Sequence, residues 1–176
     1  RAAGKLFTGF DYVVGAYFFD SKYDLTQYTR FFGNALAAST IDLDTGTYDA
    51  NGQFVRGKTR SYAFFGDFNW AFADKFRLSF GGRWSHDNKK LANDLLVSGP
   101  IGSGDRSFSK FTPKIGLDYR PNSDTMLYAS WSRGYRSGGF SPRAQTADTA
   151  STPFFPETVD AYEVGAKLAL LDRKDR

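Results

Sequence analysis

The 176-residue chain has no cysteine, one histidine (His86) and one methionine. Without cysteine there is no disulfide framework and no thiolate zinc site, and a single imidazole leaves no histidine metal cluster. No run approaches the roughly 20 apolar residues that a spanning helix needs. Charge of one sign is scarce as well. Twenty-three Lys and Arg against 19 Asp and Glu give +4, too mild and too evenly spread for a nucleic-acid partner. What the chain has in excess is aromatic side chains, with 18 Phe, 10 Tyr and 3 Trp. That excludes a disordered chain, which is poor in large apolar groups. Yet 24% of residues are charged and mean hydropathy is −0.45.

Period-2 alternation, rather than helical spacing, organises the sequence. It predicts six strands, at about Phe10–Tyr28, Thr59–Phe72, Lys75–Asn88, Phe108–Arg120, Thr125–Ser137 and Thr158–Leu171. The third sets Phe76, Leu78, Phe80 and Trp84 against Arg77, Ser79, Gly81, Arg83 and Ser85. In the first, Val13, Tyr17 and Phe19 make the second face apolar too. Ala73–Lys75 and Pro121–Asp124 are tight turns, whereas 33–57, 89–107 and 138–157 read as long loops rich in Gly, Ser, Thr and Asp. Short turns at one end and long loops at the other fit an up-and-down antiparallel meander in an outer membrane. A soluble sandwich, with its polar face outside, is the other arrangement that alternation permits. Aromatic placement favours the membrane. Trp70, Phe72, Phe76 and Tyr119 lie beside the short turns, and Trp84, Trp131 and Tyr135 lie toward the loops. Rings at both strand ends suit two membrane interfaces.

Three consecutive segments carry a resemblance. They are Phe111-Thr-Pro-Lys-Ile-Gly-Leu-Asp-Tyr119, Thr125-Met-Leu-Tyr-Ala-Ser-Trp-Ser-Arg-Gly-Tyr-Arg-Ser-Gly-Gly-Phe140 and Pro156-Glu-Thr-Val-Asp-Ala-Tyr-Glu-Val-Gly-Ala-Lys167. They resemble barrel segments of TonB-dependent outer-membrane receptors, and Tyr12–Asp20, Tyr62–Asp67 and Asp74–Arg83 agree more weakly. The resemblance implies an all-β fold, with residues 1–176 as part of a 22-stranded transmembrane β-barrel. A plug domain, the coupling box and the remaining strands are not recognisable in the sequence, and both ends read as cut. It further implies a Gram-negative outer-membrane receptor that imports a scarce solute such as a ferric siderophore. The implied partners are membrane lipid, the chain's own plug and remaining strands, and the TonB complex that supplies energy through that plug. A passive porin-like or adhesive barrel is the alternative, and an outer-membrane hydrolase a lesser one.

Side-chain chemistry adds few candidates. Lumen-facing Arg77, Arg83, Lys114, Arg136, Glu163 and Lys167, with Phe140 at the mouth, are the residues expected to meet solute or plug. Tyr48, Phe154 and Phe155 are further mouth aromatics. Asp42–Gly52 has Asp-x-Asp spacing, but Gly46 stands at the third ligand position, so it reads as a solvated loop and not a calcium site. Gly99–Gly104 lacks the Lys-Ser or Lys-Thr of a phosphate loop and reads as a flexible tip. Ser85, His86 and Asp87 are sequence neighbours on a strand, so they point to alternate faces and form no triad by themselves. Pro113 withholds a ladder donor and is expected to mark a strand irregularity. No cofactor or metal is expected.

Overall fold

The computed structural model describes residues 1–28, 52–95 and 99–169. Seven antiparallel strands form one sheet in the order of the chain: β1 (Ala2–Phe7), β2 (Phe10–Tyr28), β3 (Gly52–Ala73), β4 (Phe76–Leu95), β5 (Gly99–Asn122), β6 (Thr125–Arg136) and β7 (Glu157–Leu168). The expected meander is present, with seven strands among the described residues in place of six. The added β1 pairs Ala2 with Val14 and Gly4 with Tyr12. The last strand stops at Leu168 rather than Leu171. Residues 170–176 and the Asp42–Gly52 loop up to Asn51, with Tyr48, lie outside the described residues.

The strands also run longer than the alternation suggests. The 89–107 stretch expected as a loop continues β4 and β5, from Lys89↔Arg106 to Leu95↔Gly99. The supposed flexible tip Gly99–Gly104 is therefore strand, opened by Gly99 at φ 83°. The 138–157 stretch contains a five-residue helix, α1 (Ala147–Ser151), whose first turn is closed by a capping box between Thr146 and Thr149. Pro113 introduces no shift on the β4 side, where it faces Gly82. Its effect is on the other side: the β5–β6 ladder runs from the turn only as far as Lys114↔Ser132 and ends beside the proline.

Registers place one apolar set across all strands. Phe10, Trp70 and Leu78 are aligned, as are Tyr12, Phe68 and Phe80, and then Ile115, Trp131 and Tyr162. These rings have no core to enter: Phe64 is 61% exposed, Phe111 56% and Tyr162 79%. So large an apolar surface belongs against lipid. Its aromatic edges are continuous belts. Phe72, Phe76 and Tyr119 stack at the short turns, with centroids 5.8 and 4.7 Å apart. At the other edge Tyr62 stacks on His86 at 4.7 Å, beside Trp84. Ten residue steps along β4 separate Phe76 from His86, about 33 Å of strand and, at a tilt near 40°, about 25 Å of membrane.

Beyond the second belt the pattern inverts. Outward positions become Arg56, Lys58, Arg60, Asn88 and Lys90, and the apolar residues Val55 and Leu91 move to the inward face. The buried apolar side chains among the described residues are Val55, Ala63, Leu91, Phe108, Phe140, Ala144 and Ala150. They lie on the inward face or on the 137–156 segment that folds over it. Phe140 sits against Val55 and Leu91 and over Gly104, where a side chain would collide with its ring. Ala147 and Ala150 of α1 rest on Gly102. Three amides on adjacent strands hold the segment's backbone. Gln27 donates to Pro142 O at 2.9 Å, Gln53 to Ala144 O at 2.9 Å and Asn93 to Ser141 O at 3.3 Å. An antiparallel bridge between Gly139 and Phe154 closes it.

Candidate functional site: the inward wall

Odd positions of β3, β4 and β7 and even positions of β5 and β6 line the inward face, because successive strand residues alternate. The expected wall candidates are all on it, but they form separate groups. Lys114 Nζ lies 2.6 Å from Asp67 Oδ1. Arg83 donates through Nε to Ser85 Oγ at 3.0 Å, and its guanidinium lies 5.2 Å from the Tyr17 ring centre. Arg83 and Lys114 line one recess of about 280 Å³ with Phe65, Asp67 and Thr112. The recess opens where the β5–β6 ladder stops.

A second group lies on β6 and β7. Tyr128 donates its hydroxyl to Glu163 at 2.8 Å, and Lys167 Nζ stands 5.7 Å from the same ring. Arg136 and Glu157 approach at 3.8 Å, both about three-quarters exposed. Arg77 is toward the opposite, short-turn end, in register with Asp118, where the two line a recess of about 100 Å³ with Arg120. These are solvated cations within reach of carboxylates, and such pairs leave both partners free to exchange for a ligand.

Phe140 departs from expectation. At 7% exposure it is no open mouth residue. Its ring packs inward because Gly104 leaves room and Val55 and Leu91 supply an apolar seat. Phe154 and Phe155 do remain exposed, at 49% and 74%. Sequence reasoning missed Tyr17 and Phe65 as partners of Arg83. The signal was the second apolar face of β2, where Gly15 opens space that the Phe65 ring fills.

His86 belongs to the outward belt. Its Nδ1 is 2.7 Å from Ser109 Oγ, but Asp87 points inward and accepts from Ser61 at 2.5 Å. The other ring nitrogen has no carboxylate partner among the described residues, so the orienting member of a hydrolytic triad is missing. No group of three or more His, Cys, Asp or Glu able to hold a metal occurs among the described residues.

Comparison with known proteins agrees with this architecture. Residues 2–175 match the family model described as TonB dependent receptor-like, beta-barrel. A probable TonB-dependent receptor of Bordetella pertussis is 30% identical over 151 residues, covering 80% of this chain and 20% of that protein. The pesticin receptor of Yersinia pestis is 24% identical over 136 residues, covering 76% and 20%. The chain thus spans about one fifth of the length of these curated relatives. Among solved structures, the ferric yersiniabactin uptake receptor FyuA from Yersinia pestis matches with a TM-score of 0.73 at 20% identity, over 93% of this chain and 24% of that one. The siderophore receptor PiuA from Acinetobacter baumannii matches at 0.66 and 16%, over 96% and 28%. The chain belongs to the β-barrel family of TonB-dependent receptors, proteins of the Gram-negative outer membrane.

Proposed function

We propose that the chain is a section of the barrel wall of a receptor that imports a scarce, anionic metal chelate of the ferric siderophore type. The energy would reach it from the TonB complex through a plug domain. One observation carries the reading: the inward wall sets Arg83 and Lys114 in a single recess beside the Tyr17 and Phe65 rings. Cations beside aromatic faces suit a bulky anion with flat, partly apolar arms. Two structural neighbours, one a ferric yersiniabactin uptake receptor and the other a siderophore receptor, suggest this solute class. Arg77, Arg136, Glu163 and Lys167 stand on the same wall, where they would meet the plug or the passing solute.

In this function the wall performs no covalent chemistry. It keeps a wet, charged lumen inside a lipid-facing shell and offers exchangeable ion pairs along the path. The test is uptake of radiolabelled ferric chelates by iron-starved cells. Uptake should fall to background when the gene is deleted or when the energising complex is removed. Uptake that persists without the energising complex would identify a passive pore instead. Arg83→Ala with Lys114→Ala should raise the half-saturating chelate concentration about tenfold, the scale of one or two charge-assisted contacts.

A further inference from the structure

Beside Pro113 the sheet has an unpaired seam. Strand β5 stays in ladder with β4 out to Leu95↔Gly99, and β6 stays with β7 out to Arg136↔Glu157. Yet β5 and β6 pair with each other no farther than Lys114↔Ser132. The β4 ladder passes Pro113 without a shift, so the N–H that proline lacks is missing on the β6 side. Backbone groups alternate in direction along a strand. Those of Phe111 and Ser109 therefore face the seam from β5, and those of Arg133 and Tyr135 face it from β6. Pro113 is in register with Gly82, four residues short of His86 on β4. That is about 10 Å below the second belt along the membrane normal. Lipid at that depth offers backbone groups no hydrogen bonds, so the seam needs another source of them.

Two observations identify the source. Trp131 Nε1 and Tyr135 Oη, both on β6, are buried and have no hydrogen-bond partner among the described residues. Asp160 is near the indole and Ser137 near the phenol, outside bonding geometry. Polar groups that close without a direct bond are where a water bridges. The recess of about 280 Å³ at the seam supplies the route. Asp67, Arg83, Thr112 and Lys114 line it from the lumen, and Pro113 and Arg133 line it at the seam. It is polar and roomy enough to give each of several waters its two or more partners.

The outer end of the seam is closed by different means. Gly138 lies on the Phe108 ring, where a Cβ would stand 2.6 Å away, and Phe108 is buried. Beyond it the 137–156 segment crosses from β6 onto β5, with Phe140 over Gly104 and Ala150 over Gly102.

We propose that water bridges β5 and β6 from Pro113 outward in place of ladder bonds, making the seam a hinge in the wall that the 137–156 segment clasps. Water enters from the lumen, bonds the free backbone groups of Phe111, Arg133 and Tyr135, and links Trp131 to Asp160 and Tyr135 to Ser137. With no direct bonds to break, the β6–β7 hairpin swings against β4–β5 once the clasp lifts. The hinge does not depend on which solute is carried.

The test follows amide exchange into deuterated water residue by residue, by solid-state NMR on the full-length gene product in bilayers. Phe111, Arg133 and Tyr135 should exchange about a hundredfold faster than Phe80 and Gly82, which belong to the continuous β3–β4 ladder. Pro113→Ala returns an N–H and should slow Arg133 and Tyr135 about tenfold. Phe140→Ala should lift the clasp and speed Tyr135 further, with Phe80 unchanged. Exchange as slow at the seam as on β4 overturns the proposal. So does seam exchange that neither substitution alters. Magnetisation transfer from water to the Phe111 and Tyr135 amides of the parent chain is a check that needs no variant to fold. Strong transfer is expected, and its absence would show a dry seam.

Discussion

Asp67 on β3 and Lys114 on β5 form their 2.6 Å ion pair across the intervening strand, directly over Gly81, which is in register with both. A Cβ at residue 81 would stand 2.5 Å from Asp67 Oδ1 and 2.5 Å from Gly66 O. The glycine leaves the space that the Asp67 carboxylate and the backbone of β3 occupy.

Gly81→Val should therefore destabilise the sheet by about 1–3 kcal/mol through overpacking. The pair itself is half exposed, and Asp67→Asn should cost less than about 1 kcal/mol. Thermal unfolding in detergent separates the two. Equal losses would show that the charge, and not the space, is what the glycine protects.

Phe140→Ala should free the 137–156 segment while leaving the membrane sheet in place, since the ring's contacts are all above the second belt. Truncating a buried Phe costs about 3–5 kcal/mol. Hydrogen exchange should rise at residues 139–150 and stay unchanged at Phe76–Trp84. Uniform acceleration would contradict a locally docked segment.

The amide row gives a second, chemically separate way to loosen the same segment. Gln53→Leu keeps the bulk but strands Ala144 O in a buried setting, which costs about 1–3 kcal/mol. Limited proteolysis near Ala144 should speed up accordingly. Protection equal to the parent chain would show that apolar packing alone holds the segment.

The outer part of the β4–β5 hairpin should be acid-sensitive. Asp105 accepts from Lys90 and Asn88, and these bonds, Lys90 first, hold its carboxyl below the ordinary 3.8. A lowered value favours the folded hairpin above pH 3.8, and the contribution disappears as pH falls through the folded value. A carbon-13 titration should place the Asp105 midpoint below 3.8, and Lys90→Gln should move it upward. A midpoint unaffected by Lys90→Gln would remove the hydrogen bond as the cause.

The membrane orientation has a direct readout. Spin labels at Leu117 and Asp118 should report oxygen-rich lipid and water respectively, because neighbours on β5 face opposite ways. Matching accessibility at the two positions would refute the two-faced wall.

Between the belts the strands were legible because lipid and lumen impose opposite demands on alternate residues. Outside the belts that contrast disappears. The Lys89–Leu95 arm of β4 and the Gly99–Ser107 arm of β5 carry polar residues on both faces, Lys90, Asp94 and Asp105 on one and Lys89, Asn93 and Arg106 on the other, so they read as loop. Strand β1 was missed for the same reason, since Ala2-Ala-Gly-Lys-Leu-Phe7 shows no alternation. Phe140 was misjudged because its burial depends on Val55 and Leu91, two strands whose apolar residues change faces above the membrane. The wall cations could be assigned to a face from sequence, but their grouping could not. Arg83 and Lys114 line one recess through register, and register across a sheet is not written in either strand.

The length of the hairpins governs how the cell's surroundings perceive this wall. Seven steps of β4 past Asn88 amount to about 23 Å of paired backbone, carrying Arg56 beside Asp94 and Lys90 beside Asp105. An antibody directed there would recognise residues brought together from separate strands. A linear peptide copied from any one of them would make a poor immunogen.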